Sequence, residues 1–443
     1  MSFNLAGDRD ATGTALLTDH YELTMVRAAL ASGTARRRAV FEMFARHLPN
    51  GRRYGVVAGT GRLLDALQEF RFADADLEFL ERARIVDSPT LDFLRSYQFS
   101  GDIWGYAEGD CYFPGSPILV VEGPFAEAVI LETLALSIFN HDSAIASAAS
   151  RIVTAAQGRP LVEMGSRRTH ERSAVAAARA AYIAGFATTS NLRAGYQYGL
   201  PTSGTSAHAF TLLYDGEKQA FAAQLDALGP GTTLLVDTYD VPGAVRTAVE
   251  LAGPDLGAIR IDSGDLAAVA REARAQLDSL GATSTRIVLT GDLDEYSIAA
   301  LATEPVDAYG VGTSLVTGSG APTAALVYKL VARADSEGPG PLRPVAKRSV
   351  GKPSRGGRKW AVRQLGESGL ATAELVTDSE PNEGNGGRPL LQPLVRGGQI
   401  IAQESIGTAR ARHADALSEL PAHARQLSRG YPAIPTVFTP DRD

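Results

Sequence analysis

Short apolar runs alternate with longer amphipathic stretches through the middle of the chain, over residues 116–340. The runs have the length of buried strands, and the stretches between them carry apolar residues at helical spacing. Strands that alternate with helices indicate βαβ units and a parallel sheet. Seven such strands favour a closed or nearly closed barrel over a six-stranded open sheet. They are Ile118–Val121, Pro160–Met164, Thr205–Ala209, Thr233–Val236, Ala258–Ile261, Arg286–Leu289 and Ala308–Val311.

The two ends of the chain have a different pattern. Residues 1–115 mix helical and strand periodicity and indicate an α+β domain, with a predicted helix at Asp19–Leu30. Beyond residue 340 the sequence is first basic and Gly-rich, then helical, and finally Pro-rich. We expect this C-terminal segment, residues 341–443, to pack on the N-terminal domain.

Composition and charge exclude several classes of protein. Apolar residues make up 44% of the chain and charged residues 21%, as in ordinary globular proteins. The net charge of −7 gives no attraction to nucleic acid or to a membrane surface. The single cysteine, Cys111, allows no intrachain disulfide. With no signal-peptide pattern and no long apolar run, we expect a cytoplasmic protein.

Polar residues follow most of the candidate strands at the point where each strand ends. In α/β barrels the loops at the carboxyl ends of the strands carry the active site. Helix N-caps are an alternative explanation for Asp237, Asp262 and Asp292, but they do not account for arginine or histidine in the same position. The pattern therefore favours a functional cluster of Gly165, Ser166, Arg167, Arg168, His208, Asp237, Arg260, Asp262, Ser263, Thr290, Gly291, Asp292, Gly310, Gly312 and Thr313.

The residue types in this cluster are typical of a phosphate-binding site. Arg167 and Arg260 offer forked donors for a carboxylate or a phosphate. Asp262 and Asp292 suit a ribose diol or a magnesium ion. Backbone N–H groups in the turns Gly310-Val-Gly-Thr-Ser and Gly318-Ser-Gly suit an anion. The basic residues Lys347, Lys352 and Lys359 either cover a pyrophosphate or form a solvated face.

His208 allows two interpretations. On an alternating strand it is either a hydrogen-bonded core histidine or a catalytic group. Its position at the end of a predicted strand, in the run Gly204-Thr-Ser-Ala-His, favours catalysis.

The motifs that carry these residues resemble, in the same order, those of the nicotinate phosphoribosyltransferase family. They are Leu16–Met25, Phe41–Arg46, Gly55–Gly59, Glu122–Pro124, Gly165–Arg168, Gly204–His208, Ile261–Asp265, Tyr309–Thr313 and Lys347–Lys359. The resemblance implies an irregular TIM-like α/β barrel with an N-terminal α+β domain that the C-terminal segment completes. It also implies a homodimer with active sites shared between subunits.

The resemblance implies a reaction as well. Nicotinate and phosphoribosyl pyrophosphate would give nicotinate mononucleotide and pyrophosphate in NAD salvage, in an ATP-dependent ligase with Mg²⁺. His208 would be phosphorylated by ATP and oriented by Asp237. Tyr21 would stack on the pyridine ring from the neighbouring subunit. The remaining substrate contacts would come from Arg167, Arg260, Asp262, Asp292, Lys352 and the amides of Gly310, Gly312 and Thr313.

Two positions of the pyridine pocket depart from the family pattern, and the segment Ser354-Arg-Gly-Gly-Arg stands where the family commonly has a Pro-Gly turn. Met164 stands where the family usually has an aromatic residue of the pyridine pocket. Ser190 stands where nicotinamide-using relatives have an aspartate, which favours a substrate with a carboxylate. The alternatives that remain are a nicotinamide or quinolinate phosphoribosyltransferase on the same fold, and a barrel relative without catalysis.

Overall fold

The computed structural model describes residues 13–338, 340–347, 354–381 and 387–439. The strands in these ranges are β1 Arg37–Ala45, β2 Gly55–Val56, β3 Asp102–Tyr106, β4 Cys111–Tyr112, β5 Leu119–Pro124, β6 Leu161–Glu163, β7 Thr188–Thr189, β8 Thr233–Leu235, β9 Ala258–Ile261, β10 Arg286–Leu289, β11 Ala308–Val311, β12 Leu326–Glu337, β13 Arg343–Pro344, β14 Trp360–Leu365, β15 Ala371–Thr377, β16 Gly387–Pro389, β17 Leu391–Arg396, β18 Gln399–Ile400 and β19 Thr436–Phe438.

The α-helices in the same ranges are α1 His20–Ala31, α2 Thr60–Gln68, α3 Asp74–Arg82, α4 Ser88–Arg95, α5 Phe125–Val129, α6 Glu132–Ala156, α7 Glu171–Ile183, α8 Leu192–Tyr198, α9 His208–Thr211, α10 Glu217–Leu228, α11 Val241–Ala252, α12 Leu266–Ser279, α13 Glu295–Ala300, α14 Thr313–Val316 and α15 Ile406–Ser418. None of the described helices has both the length and the apolar character that crossing a membrane requires.

The chain forms two compact units. The first, called here the mixed unit, comprises residues 1–143, 323–424 and 429–443. The second, called the barrel unit, comprises residues 144–322 and 425–428.

An antiparallel sheet organises the mixed unit, with the strand order β13-β12-β1-β5-β3-β17-β18. Strand β1 pairs with β5 on one side and with β12 on the other. Strands from the start and the end of the chain therefore share one sheet. Strands β17 and β18 of the C-terminal segment lie in the same sheet as β1 and β3 of the N-terminal part.

The predicted strand Ile118–Val121 lies in this antiparallel sheet, as part of β5, and its assignment to the barrel was wrong. The run Ile-Leu-Val-Val is buried on both faces. Continuous apolar runs are typical of parallel strands, so the pattern alone did not distinguish the two sheets. Both β5 and β12 fall within residues 116–340, yet both belong to the mixed unit.

The sheet of the barrel unit is parallel, and its described strands are ordered β7-β6-β11-β10-β9-β8. The last of these strands along the chain, β11, pairs with the first, β6. Consecutive strands are neighbours elsewhere, except between β7 and β8. This cyclic order is that of a barrel with a gap, because an open doubly wound sheet does not return to its first strand. The irregular TIM-like fold is confirmed.

The gap contains the predicted strand Thr205–Ala209, and that prediction was wrong. Gly204 and Thr205 are exposed, and the short helix α9 begins at His208. Thr, Ser and Ala have little apolar area, so burying them in a barrel wall would stabilise a strand only weakly here. Conversely, β7 was missed, because two residues are too few for a periodicity to register.

A buried ion cluster stabilises the mixed unit. The Arg363 side chain is 0% exposed, and its guanidinium donates to Glu374 Oε1 at 2.6 Å and to the Cys111 carbonyl at 2.7 Å. The carboxylate of Glu374 is equally buried. Each charge depends on the other, since neither has water to solvate it.

We expect Arg363→Met to lower the free energy of unfolding by about 3–5 kcal/mol, because it leaves a buried carboxylate without its cation. Urea denaturation measures the change. The matched control is Arg95→Met, since Arg95 pairs with Asp92 at the surface with both side chains more than half exposed. Equal stability of the two variants would contradict the prediction.

Candidate active site

The carboxyl ends of the barrel strands surround a cleft of about 150 Å³. Its lining is polar and comes from four different strand ends. Most of the residues that the sequence assigns to a binding site meet here. The cleft is lined by Met164, Arg167, Arg168, Arg260, Asp262, Thr290, Gly291, Asp292, Gly310, Gly312 and Thr313.

The guanidinium of Arg260 holds several of these strand ends together. Arg260 is 8% exposed, and its Nε donates to Thr290 Oγ1 at 2.9 Å. One terminal nitrogen donates to Asp262 Oδ1 at 2.9 Å, and the other donates to Thr205 Oγ1 at 2.9 Å. Arg260 is therefore a fixed cation in the wall of the cleft.

Asp262 follows β9 and is kept ionised by its neighbours. Burial acts to raise the pKa of Asp262, but hydrogen bonds from Thr290 and Arg260 outweigh it and bring the pKa below its ordinary value. Oδ1 accepts both bonds. The cleft thus carries a permanent negative charge beside its buried cation.

His208 and Asp237 form a hydrogen-bonded pair next to Asp262. The distance between His208 Nε2 and Asp237 Oδ1 is 3.1 Å. Asp237 Oδ2 accepts from the Asp262 backbone N–H at 2.9 Å and from the Ser263 hydroxyl at 2.6 Å. The Asp237 side chain is 2% exposed and that of His208 is 41% exposed. A fixed acid therefore orients an accessible imidazole.

The helix N-caps are separate from the site aspartates. Asp240, Asp265 and Asp294 cap α11, α12 and α13, and each accepts a backbone N–H of its own helix. Asp237, Asp262 and Asp292 lie two or three residues earlier. The capping explanation for them was wrong: each strand end carries one aspartate for the helix and another near the cleft.

Glycines determine the shape of the cleft. A Cβ on Gly310 would lie 2.6 Å from Thr290 Cγ2 and 2.7 Å from Met164 Sδ. A Cβ on Gly291 would lie 2.4 Å from the Asp262 carbonyl oxygen, and Asp292 next to it has a φ of 48°. Such left-handed backbone is uncommon outside glycine and is often found at functional sites.

The second predicted anion turn, Gly318-Ser-Gly, lies against a buried carboxylate. Ser319 donates from its hydroxyl to Glu295 Oε2 at 2.6 Å. Glu295 is 2% exposed and also accepts from Arg151 Nε at 3.1 Å. The Ser319 hydroxyl is therefore engaged by the Glu295–Arg151 ion pair, and a carboxylate at this turn disfavours the binding of an anion.

Two other predicted site residues, Ser190 and Tyr21, are not among the residues that line the cleft. Ser190 follows β7 and donates its backbone N–H to the Glu163 carbonyl at 2.8 Å. Tyr21 belongs to the mixed unit, in α1, and is 44% exposed. Burial, with smaller contributions from Glu132 and Glu22, raises the pKa of Tyr21 to about 12. Lys352 lies outside the described residues.

A second cleft, of about 570 Å³, lies within the mixed unit. Arg46 and Arg355 line it, and sequence reasoning assigned them no role although both fall in the motifs quoted above. Lys359 also lines it, but its Nζ donates to Glu42 Oε2 at 2.7 Å and is largely buried. The Lys359 charge is therefore neutralised within the unit, which disfavours it as a pyrophosphate contact.

The fold and the cleft define a class of protein: an α/β barrel protein with a polar, arginine-lined cleft at its strand ends. The solved structure of human nicotinic acid phosphoribosyltransferase has a TM-score of 0.82 and 27% identity, over 96% of this chain and 98% of that one. A nicotinate-nucleotide pyrophosphorylase from Pyrococcus furiosus shares the fold, with a TM-score of 0.76 and 23% identity over 95% of this chain and 99% of that one.

Sequence comparison then gives the family. The N-terminal domain model of nicotinate phosphoribosyltransferase matches residues 16–140. A nicotinate phosphoribosyltransferase of Mycobacterium tuberculosis is 61% identical over 96% of this chain and 95% of its own length. The human nicotinate phosphoribosyltransferase is 31% identical over 96% of this chain and 89% of its own length. The chain belongs to the nicotinate phosphoribosyltransferase family.

We expect Gly310→Ala to move the Met164 thioether into the cleft, because the new methyl group takes the space where Sδ lies. Overpacking of this kind costs about 1–3 kcal/mol. A crystal structure and urea denaturation measure the two effects. Gly231→Ala is the control, since its Cβ meets nothing within 4 Å. An unmoved Met164 with unchanged stability would contradict the prediction.

Proposed function

We propose that this protein is a nicotinate phosphoribosyltransferase that forms nicotinate mononucleotide and pyrophosphate from nicotinate and phosphoribosyl pyrophosphate, in NAD salvage. The observation that carries the proposal is the cleft, in which arginines, aspartates and glycines from successive strand ends converge. Family membership over nearly the whole chain supports it. Ser190, in place of an aspartate, supports nicotinate over nicotinamide.

The cleft residues suit the two substrates. Arg167 would bind the nicotinate carboxylate or a phosphate through its forked donors. Backbone N–H groups between Gly310 and Thr313 would bind the 5′-phosphate. Cleavage of the ribose C1–O bond develops positive charge on the sugar, and the ionised Asp262 would stabilise that charge.

The residues present fit a magnesium ion. Asp262 Oδ1 already accepts from Arg260 and Thr290, which leaves Oδ2 and the Asp292 carboxylate as oxygen ligands. Mg²⁺ commonly binds one or two carboxylates together with substrate phosphates. When bound, it would neutralise charge on the departing pyrophosphate.

ATP hydrolysis would be coupled through His208. Because the Asp237 carboxylate accepts at Nε2, that nitrogen carries the proton, and the lone pair of the neutral ring lies on Nδ1. Nδ1 would attack the γ-phosphorus of ATP, and the bond to the ADP oxygen would break. Water would later cleave the phosphohistidine and regenerate the imidazole.

We further propose a cytoplasmic homodimer with shared sites. The exposed ring of Tyr21 supports this arrangement, because an accessible tyrosine in α1 is available to stack on a pyridine ring in the partner subunit.

Product analysis tests the main proposal. Purified protein is incubated with phosphoribosyl pyrophosphate and either nicotinate, nicotinamide or quinolinate, with and without ATP. We expect nicotinate mononucleotide as the dominant product, because a cleft with arginines suits one carboxylate. Equal turnover of nicotinamide, or preference for quinolinate, would assign the protein to another reaction. No product from any base would indicate a non-catalytic relative.

We expect His208→Ala to retain slow synthesis but to lose ATP hydrolysis and ATP stimulation. Asp237→Asn should show the same separation, since an amide cannot hold the imidazole in the Nε2–H tautomer while also accepting from Asp262 and Ser263. Rates of ADP release and of product formation measure the two activities. His170→Ala is the control, an exposed histidine of the same unit. Wild-type ATP hydrolysis in His208→Ala would exclude the phosphohistidine.

A further inference from the structure

A buried carboxylate lies directly behind the candidate active site. Glu163, the last residue of β6, is 1% exposed. One side-chain oxygen accepts the Gly165 backbone N–H, and the other accepts the Thr189 hydroxyl. Among the described residues, no lysine or arginine forms an ion pair with Glu163. Burial raises the pKa of Glu163 against these two hydrogen bonds.

A chain of hydrogen bonds connects the Thr189 partner of Glu163 to Ser166, in the turn that follows β6. Thr189 Oγ1 accepts from the Asn191 backbone N–H at 2.9 Å. The Asn191 amide donates to Ser166 Oγ at 3.0 Å, while its Oδ1 accepts from Ala194 N–H at 2.9 Å at the start of α8. The turn that follows β6 is thus held at Gly165 by Glu163 and at Ser166 by Asn191.

The position of β7 at the gap in the barrel explains why side-chain hydrogen bonds are needed to fix the turn that follows β6. Strand β7 has two residues and borders the gap in the barrel, so few backbone hydrogen bonds fix it against β6. The hydrogen bond between Thr189 and Glu163 adds a side-chain link there. Packing is equally tight: a Cβ on Gly165 would lie 2.1 Å from Val316 Cγ1. The backbone of the turn at Gly165 is therefore restricted to one conformation.

We infer that Glu163 is a positioning residue for substrate recognition: through Gly165 and Thr189 it fixes the turn that directs Met164 and Arg167 to the cleft. The inference rests on the proposed function. Glu163 and Thr189 are buried and are not among the residues that line the cleft, so their effect would pass through the geometry of the turn. A hydrophobic pair of similar size would pack the same space without burying polar groups, which indicates that the hydrogen bonds position the turn.

A pair of variants at Thr189 isolates the hydrogen bond with little change in volume. Thr189→Val removes the hydroxyl that Glu163 accepts, and Thr189→Ser keeps it. We expect Thr189→Val to raise the KM for nicotinate about tenfold, as for loss of a hydrogen bond to a charged group, with kcat changed less than about threefold. Thr189→Ser should stay within about twofold of the wild-type KM. Glu163→Gln should change the KM in the same direction as Thr189→Val.

The control is Glu295→Gln, another buried glutamate of the barrel unit, which pairs with Arg151 and lies at the Gly318-Ser-Gly turn. It should lower Tm and leave the KM unchanged. A wild-type KM in Thr189→Val, or a KM raised as much in Glu295→Gln, overturns the inference while the proposed function stands. Wild-type protein that does not convert nicotinate overturns the proposed function and this inference with it.

Discussion

The arrangement of the barrel edge depends on one buried cation, the guanidinium of Arg260. It donates to Thr290 after β10, to Asp262 after β9 and to Thr205 in the segment before α9. Burial of a guanidinium costs several kcal/mol unless its donors are paired. These segments therefore cannot shift independently. Where the ring lacks a strand, this side chain replaces part of the missing backbone ladder.

The apolar pattern predicted most of the barrel strands. It failed for segments whose position depends on polar contacts or on strand pairing and not on the burial of apolar side chains. Strands β9, β10 and β11 match the predicted residues because each is a short apolar run between turns. Thr205–Ala209 lacks that apolar area and is held instead by Arg260, a contact that periodicity does not register. Ile118–Val121 is apolar enough for either sheet, and only its pairing with β1 and β3 decides between them.

The site was predictable for those residues whose place in space follows from their position at a strand end. Residues at or directly after the carboxyl end of a parallel strand must meet at one edge of the sheet, so Arg260, Asp262 and Asp292 could be grouped from sequence. The paired aspartates, one for the helix and one near the cleft, are visible in the sequence once the helix starts are known. The role of Glu163 was not predictable. Its partner Thr189 lies on a strand too short to recognise, and the burial of Glu163 depends on the tertiary structure.

Asp262 joins the two halves of the proposed reaction. Its backbone N–H donates to Asp237, which orients His208, and its carboxylate accepts from Arg260 in the cleft. A phosphoryl group on His208 would bring about two negative charges close to this network. Those charges act on the same arginine and aspartate that would contact the ribose and its phosphates. The proposed coupling between ATP hydrolysis and sugar transfer would then need no large movement, since a change of charge at one ring nitrogen would alter the electrostatics of the neighbouring cleft directly.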